Sequence, residues 1–194
     1  MITENIFGRY VTLSSATVED AEFSLAIRQE PAMTKFLPRL EISVAQQVEW
    51  ISHQREAAGD YFFIVRNKKA ERVGVLGLYD FHGDTAGIGR IAMKGGFHGN
   101  REAFLLTMRF GFKTLGLKKL SDWVYAENER AIKFFNFFGA HMAEPDFDAR
   151  RKIFSRKFFY TAEEFDETEE RVAKIIYDYS AENSAHDYAG KNLL

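Results

Sequence analysis

Asn128-Glu129-Arg130-Ala131-Ile132-Lys133-Phe134-Phe135-Asn136-Phe137-Phe138-Gly139-Ala140 closes the most informative run of this chain. An Asn opens an amphipathic helix, because its side-chain oxygen can cap the free N–H groups of the first turn. Ala131, Phe134, Phe135 and Phe138 fall on one helical face. Gly139 then ends the helix. Upstream, Lys119 to Ala126 reads as a strand, and Gly116 as the stop of an earlier helix over Arg101–Leu115. That helix is apolar nearly all round, the mark of burial against a sheet. Lys94-Gly95-Gly96-Phe97-His98-Gly99-Asn100 reads as a glycine-rich connection into it. Gly95 to Ala140 is therefore helix, strand, helix.

Outward from this stretch the pattern is mixed. Gly8 to Ser14 alternates apolar and polar residues, as a strand does. Thr17, with Asp20 three residues on, signals a helix start; that helix should stop by Pro38. Ser43 opens a second helix with Val44, Val48 and Ile51 on one face, stopped by Gly59. Tyr61–Arg66, Val73–Phe81 and Ala86–Met93 are β-rich runs, the last two joined by the tight His82-Gly83-Asp84 connection, and together they read as a three-strand meander. Beyond the deciding stretch, His141–Phe147 and Lys152–Tyr160 read as a closing hairpin. A helical pattern then runs from Ala162 to Tyr179.

Composition narrows the function classes. The 194 residues are 46% hydrophobic and 28% charged, with net charge −2, so no global attraction draws the chain to nucleic acid or an anionic membrane. No apolar stretch approaches the ~20 residues of a membrane span. The first residues lack a basic region followed by an apolar run, so the expected setting is cytoplasmic. There are no cysteines, which excludes disulfides, thiolate metal sites and a Cys nucleophile; no metal site is expected. Nine acids against three bases make residues 161–194 acidic at −6, leaving 1–160 at +4. The expected division is a domain over 1–165 and an acidic helical extension over 166–194. Val172, Ile175, Ile176 and Tyr179 recur at helical spacing in that extension, a face that packs on its own body or on a second copy, so a monomer or a homodimer is expected.

The order strand, two helices, three antiparallel strands, helix, strand, helix, two strands resembles the Gcn5-related N-acetyltransferase (GNAT) superfamily over about residues 8–165. The opening Gly-Arg-Tyr-Val-Thr-Leu-Ser, the Val-Tyr-Ala-Glu-Asn run and Thr-Ala-Glu-Glu-Phe resemble its branch of ribosomal-protein N-terminal and amino-sugar or small-amine acetyltransferases. The resemblance implies an α+β fold, a mixed and mostly antiparallel central sheet flanked by helices, here with an extra C-terminal helix. It implies acetyl transfer from acetyl-CoA to a primary amine by direct attack in a ternary complex. The acceptor would be a small molecule or a peptide: a protein N-terminus, an amino sugar on a nucleotide carrier, or a polyamine. The rival reading is a degenerate module of the same fold that binds CoA or a protein partner without catalysis.

The same resemblance assigns site residues. His98, Gly99, Asn100, Arg101, Glu102 and Ala103 occupy the place of the diphosphate loop, where a helix N-terminus presents N–H groups to an anion. Two alignments are open: His98 first, with Arg101 replacing a usual Gly, or Gly99 kept with about three loop residues deleted. Ile91, Ala92 and Met93 occupy the bulged strand whose backbone pairs with the pantetheine arm, with an N–H near Met93 polarising the thioester carbonyl. Asn128, Ala131 and Phe135 lie on the helix that faces the cofactor. The usual base, a Glu, is replaced by Gly87, and the usual acid, a Tyr, by Phe135. Tyr79 and Tyr125 are the remaining acid candidates, and Arg90 is a candidate to hold an acidic acceptor group.

Overall fold

The computed structural model describes residues 1, 3–31, 35–36 and 40–178. Its centre is a sheet of nine strands among the described residues: β1 (Ile6–Phe7), β2 (Val11–Ser15), β3 (Tyr61–Asn67), β4 (Arg72–His82), β5 (Thr85–Met93), β6 (Lys119–Tyr125), β7 (His141–Met142), β8 (Asp146–Asp148) and β9 (Ile153–Thr161). The spatial order is β1-β2-β3-β4-β5-β6-β9-β7, with β8 also on β9. Only β5 and β6 pair in parallel; the other pairs are antiparallel. This is the expected mostly antiparallel α+β arrangement.

Among the described residues five α-helices cover the two faces: α1 (Ala21–Gln29), α2 (Val44–Glu56), α3 (Gly96–Arg109), α4 (Glu129–Phe137) and α5 (Ala162–Tyr177). Helices α1 and α2 bury Ile27 and Ile51 on Phe62, Ile64, Val75 and Ala92. Helices α3, α4 and α5 cover the other face through Phe104, Phe135, Phe138, Phe165, Val172 and Ile176. Phe62, Phe63, Phe104, Phe138, Phe158 and Phe165 are fully buried, and each ring contributes about 1.5–3 kcal/mol through burial. The expected boundary at residue 165 falls inside α5, between core residues Phe165 and Val172. Residues 179–194, including Tyr179, lie outside the described residues, as does Pro38.

Local signals act as read in most places. Ser43 accepts from the Gln46 N–H while Gln46 reaches back to the Ser43 N–H, a reciprocal cap that starts α2. Asn128 caps α4 by accepting from the Ala131 N–H at 3.1 Å. Gly139 takes φ +76° just past that helix, where a left-handed residue lets the chain turn away. Two readings are corrected. The run 94–100 is not a loop throughout: α3 begins at Gly96, because Gly96, at φ +74°, makes the turn and a Cβ-free Gly99 lets the first helical turn lie against Val11. The strand expected over His141–Phe147 is two short pieces, β7 and β8, both paired to β9.

Candidate active site

The parallel pairing of β5 with β6 lasts three residues: Thr85 with Lys119, Ala86 with Leu120, and Gly87 with Ser121. Beyond Gly87 the strands part. Among the described residues, from Gly89 to Met93 one edge of β5 has no strand beside it, and from Asp122 to Tyr125 β6 pairs only with β9. The result is a wedge with peptide edges on both walls. Its cause is a bulge. Gly77 opposes Gly89 and Val75 opposes Ala92, so Arg90 and Ile91 together face Leu76, and the extra residue bends β5 away from β6.

The bulge rests on Arg90, which adopts φ +57°, a conformation costing a non-glycine residue about 1–2 kcal/mol. Its guanidinium holds it there. Nη1 and Nη2 donate to the two oxygens of Asp60 at 2.6 and 2.8 Å. The same group lies over the rings of Tyr79 at 4.3 Å and Trp50 at 5.1 Å. A forked charge pair with aromatic faces around it is the strongest form such a contact takes.

Tyr79 on β4 and Asp122 on β6 meet across this wedge. The Tyr79 hydroxyl donates to Asp122 Oδ2 at 2.5 Å, and the Trp123 N–H donates to Oδ1 at 2.8 Å. Both side chains fill space that glycines leave. A Cβ on Gly87 would sit 3.0 Å from the Tyr79 ring; one on Gly89 would sit 2.1 Å from Asp122 Oδ2 and 2.5 Å from the Tyr79 oxygen. At Gly87, the position the resemblance gives to a Glu, a Cβ would crowd the Tyr79 ring, and a carboxylate stands close by on β6, at Asp122. Burial raises the Asp122 carboxyl to about 6, against the lowering effect of its Tyr79 and Trp123 hydrogen bonds. The Tyr79 phenol is pushed far above its usual value, first by burial and then by Asp122, so it stays protonated and acts as a donor. Asp122 also walls a groove of about 720 Å³ on the open face of β6 and β9, with Lys119, Ser121, Trp123, Lys157 and Phe159 around it.

At the C-terminal end of β5 the first turn of α3 has no side-chain cap, so its leading N–H groups face outward with the positive end of the helix dipole. Arg101 projects from this turn onto α4. Its guanidinium lies 3.6 Å from the Phe97 ring centre and 4.7 Å from that of Phe137. Its Nε is buried with no hydrogen-bond partner. Burial holds its pKa below the usual arginine value. A desolvated cation beside an uncapped helix N-terminus suits an anion. The open strand edges suit a peptide-like arm.

The other expected residues divide. Asn100 is half-buried on the same turn. His98 is tied elsewhere: Nδ1 lies 3.1 Å from the Ile176 carbonyl of α5. Glu102 faces away from the wedge. Its carboxylate accepts the N–H groups of Arg9, Tyr10 and Val11 at 2.6–2.8 Å and the Tyr177 hydroxyl at 2.8 Å. Ala103 is in the core, as are Ala92 and Met93, which leaves Ala92 and Met93 only backbone to offer. Ala131 packs on the core beside the Asn128 cap. Phe135 stacks on Phe158 at 4.2 Å, 8% exposed. Tyr125 lies 6.0 Å from Phe36 and 5.4 Å from Trp123, ring to ring. The sequence reading missed Asp122 and Asp60. Asp122 had a signal: it takes an inward slot between Leu120 and Val124, which are buried, and an acid in an apolar slot is a candidate for function.

The sequence profile of the acetyltransferase (GNAT) domain family matches residues 11–141. The chain belongs to that family. Acetyl transfer to amines is the family's reaction, and acetyl-CoA is the acetyl donor it generally uses. No curated protein sequence matches the chain significantly. Solved structures of the fold do. A GCN5-related N-acetyltransferase from Brucella melitensis is 17% identical over 91% of this chain and 87% of its own, with TM-score 0.75. Apo FdhC, a nucleotide-linked sugar GNAT, is 22% identical over 91% and 98%, with TM-score 0.74. A spermidine N-acetyltransferase SpeG chimera from Vibrio cholerae and hSSAT is 17% identical over 80% and 97%, with TM-score 0.69. At these identities the likeness is one of fold.

Proposed function

We propose that this acetyltransferase moves the acetyl group of acetyl-CoA to a primary amine by direct attack in a ternary complex, with Asp122 as the base. The observation that carries this reading is the Tyr79–Asp122 pair, set where β5 and β6 part. Acetyl-CoA supplies an activated acyl carbon: the amine nitrogen bonds to it as its carbon–sulfur bond breaks. An amine attacks only when neutral, and its ordinary pKa is ~10. A carboxylate with a pKa of about 6 is ionised at neutral pH and accepts the amine's proton directly or through one water. Tyr79 and the Trp123 N–H keep the carboxylate in place by donating to Oδ2 and Oδ1, and each oxygen keeps a second lone pair for the acceptor.

Arg101 and the first-turn N–H groups of α3 would hold the diphosphate, and the free edges of β5 and β6 would hold the pantetheine arm. Phe135 is buried against Phe158 and has no proton to give, so in this reading the thiolate takes its proton from water or from Tyr79, which regains one from Asp122. That relay returns the pair to its starting state, because the proton Asp122 removed from the amine leaves on the thiol.

Two measurements test the reading. Acetyl-CoA at 100-fold above its dissociation constant should stabilise the folded chain by ~2.7 kcal/mol. Thiol release should then depend on added amine and disappear in Asp122→Asn. Stabilisation without thiol release from any amine would favour a CoA-binding module instead.

A further inference from the structure

The last turn of α5 ends on the first turn of α3. Carbonyls at the end of a helix have no partner inside it, and here two of them are met from outside. The Ile176 carbonyl accepts from His98 Nδ1 at 3.1 Å and from the Tyr10 hydroxyl at 3.3 Å. The Tyr177 carbonyl accepts from Arg9 Nη1 at 3.3 Å. Tyr10 joins the two helices, its ring 5.2 Å from that of His98 and 6.2 Å from that of Tyr177. The end of α5 is itself anchored, because Val172 and Ile176 are fully buried in the core. A carbonyl only accepts, so His98 carries its proton on Nδ1. In the neutral ring Nε2 is then a bare lone pair, which has nothing to offer a phosphate oxygen.

The turn to which His98 belongs is weak by itself. Gly95, Gly96 and Gly99 surround it, and glycine loses more backbone freedom on ordering than any other residue. Its N-cap makes no side-chain hydrogen bond. A helix N-terminus binds an anion through N–H groups held in one direction, so a turn that frays binds less. We infer that His98 is a positioning residue: it moors the first turn of α3 to the end of α5 and holds those N–H groups in the direction a CoA diphosphate needs. The inference rests on the cofactor placement proposed above and gives α5 a part in it. Linkage is reciprocal, so CoA in its site tightens the end of α5.

The test compares three variants by calorimetry with CoA. His98→Asn keeps an N–H donor near the place of Nδ1, His98→Gln puts it near the place of Nε2, and His98→Ala removes it. A protein that holds its binding geometry only part of the time has its Kd raised by the inverse of that fraction. The expected rise is about 3- to 10-fold in Ala and in Gln, the range for one hydrogen bond between uncharged groups, and under about twofold in Asn. In the thiol-release assay the same factor should appear in the KM for acetyl-CoA and not in kcat. Melting curves without ligand separate this role from support of the fold. A bond that served only the fold would lower the melting temperature and leave the Kd of the folded protein unchanged. Hydrogen exchange reads the reciprocal effect: CoA should slow the amides of residues 174–178 in the wild type and not in His98→Ala. An unchanged Kd in His98→Ala, an Asn variant as weak as Ala, or exchange at the end of α5 indifferent to CoA would each overturn the mooring. Those results leave the cofactor site standing, whereas a wild type that binds no CoA sinks the cofactor reading itself.

Discussion

Asp122→Asn should make the protein more stable and inactive at the same time. In the fold the Asp122 carboxyl titrates near 6, against 3.8 for a free Asp. A carboxyl whose folded pKa is raised favours the folded state while protonated. Its contribution is complete below about pH 4 and is lost as the pH rises through about 6. A rise of that size corresponds to roughly 2–3 kcal/mol, the lower figure allowing for solvent still reaching a half-buried group. Above pH 7 the native carboxylate therefore weakens the fold by that amount relative to its acid form. Asn has the same shape without the charge. Its Oδ1 still accepts from the Trp123 N–H, and its amide donates to the Tyr79 oxygen, which accepts as readily as it donates. The stability gap between Asn variant and wild type should be near zero at pH 4 and reach about 2–3 kcal/mol at pH 8. For a chain of this size that is a melting shift of roughly 5–10 °C, measured by scanning calorimetry in matched buffers. In the thiol-release assay, wild-type kcat/KM should fall about tenfold for each pH unit below 6, and Asp122→Asn should lose about 10²–10⁴-fold at pH 8. A stability gap constant from pH 5 to 8, or an Asn variant of ordinary activity, would refute the assignment of Asp122.

Three further substitutions separate the parts of the site. Gly89→Ala places a Cβ 2.1 Å from Asp122 Oδ2, well inside van der Waals contact; the obstacles are side chains, so folding should survive while kcat drops by a factor resembling that of Asp122→Asn. Arg101→Ala should weaken CoA binding by ~1.5–3 kcal/mol in calorimetry if the guanidinium meets a phosphate, and unchanged affinity would remove Arg101 from the cofactor. Glu102→Gln takes the charge from a carboxylate that accepts four hydrogen bonds; chemical denaturation should show a loss of ~2–4 kcal/mol with acetyl-CoA affinity little changed in the folded fraction.

The fold was legible because its signals are local. Asn128 caps a helix with its own side chain, Ser43 and Gln46 cap another, and alternation marks β6 within seven residues. The wedge was legible only as a place. Its bulge carries no glycine or proline at the turning residue: Arg90 sits at positive φ because Asp60, thirty residues away, grips it from both nitrogens. A conformation paid for by a distant partner leaves no local trace in the chain. Glu102 errs in the opposite direction. Its position beside Arg101 suggests the cofactor loop, yet a helix turns successive residues about 100° apart. Arg101 thus reaches α4, while Glu102 reaches back to Arg9, Tyr10 and Val11.

In the proposed reading, the base moves from residue 87 on β5 to Asp122 on β6 without leaving its place in space. Losing the usual carboxylate at residue 87 looks like degeneracy when the strand is read alone. In the sheet, the Tyr79 ring covers the vacated position and its hydroxyl points over Gly89. An acid from β6 meets that hydroxyl: Asp122 accepts from it at 2.5 Å. Glycine at 89 is then needed, since a methyl group there would strike both oxygens of the pair, while a Cβ at 87 would crowd the Tyr79 ring at 3.0 Å. A chain that had merely lost its base would have no need of a half-buried acid between Leu120 and Val124, nor of a glycine at 89 keeping room for it. The arrangement keeps a carboxylate in low-dielectric surroundings, where its ionised form is held at a cost to stability, and that cost is what the pH-dependent gap between wild type and Asp122→Asn would measure.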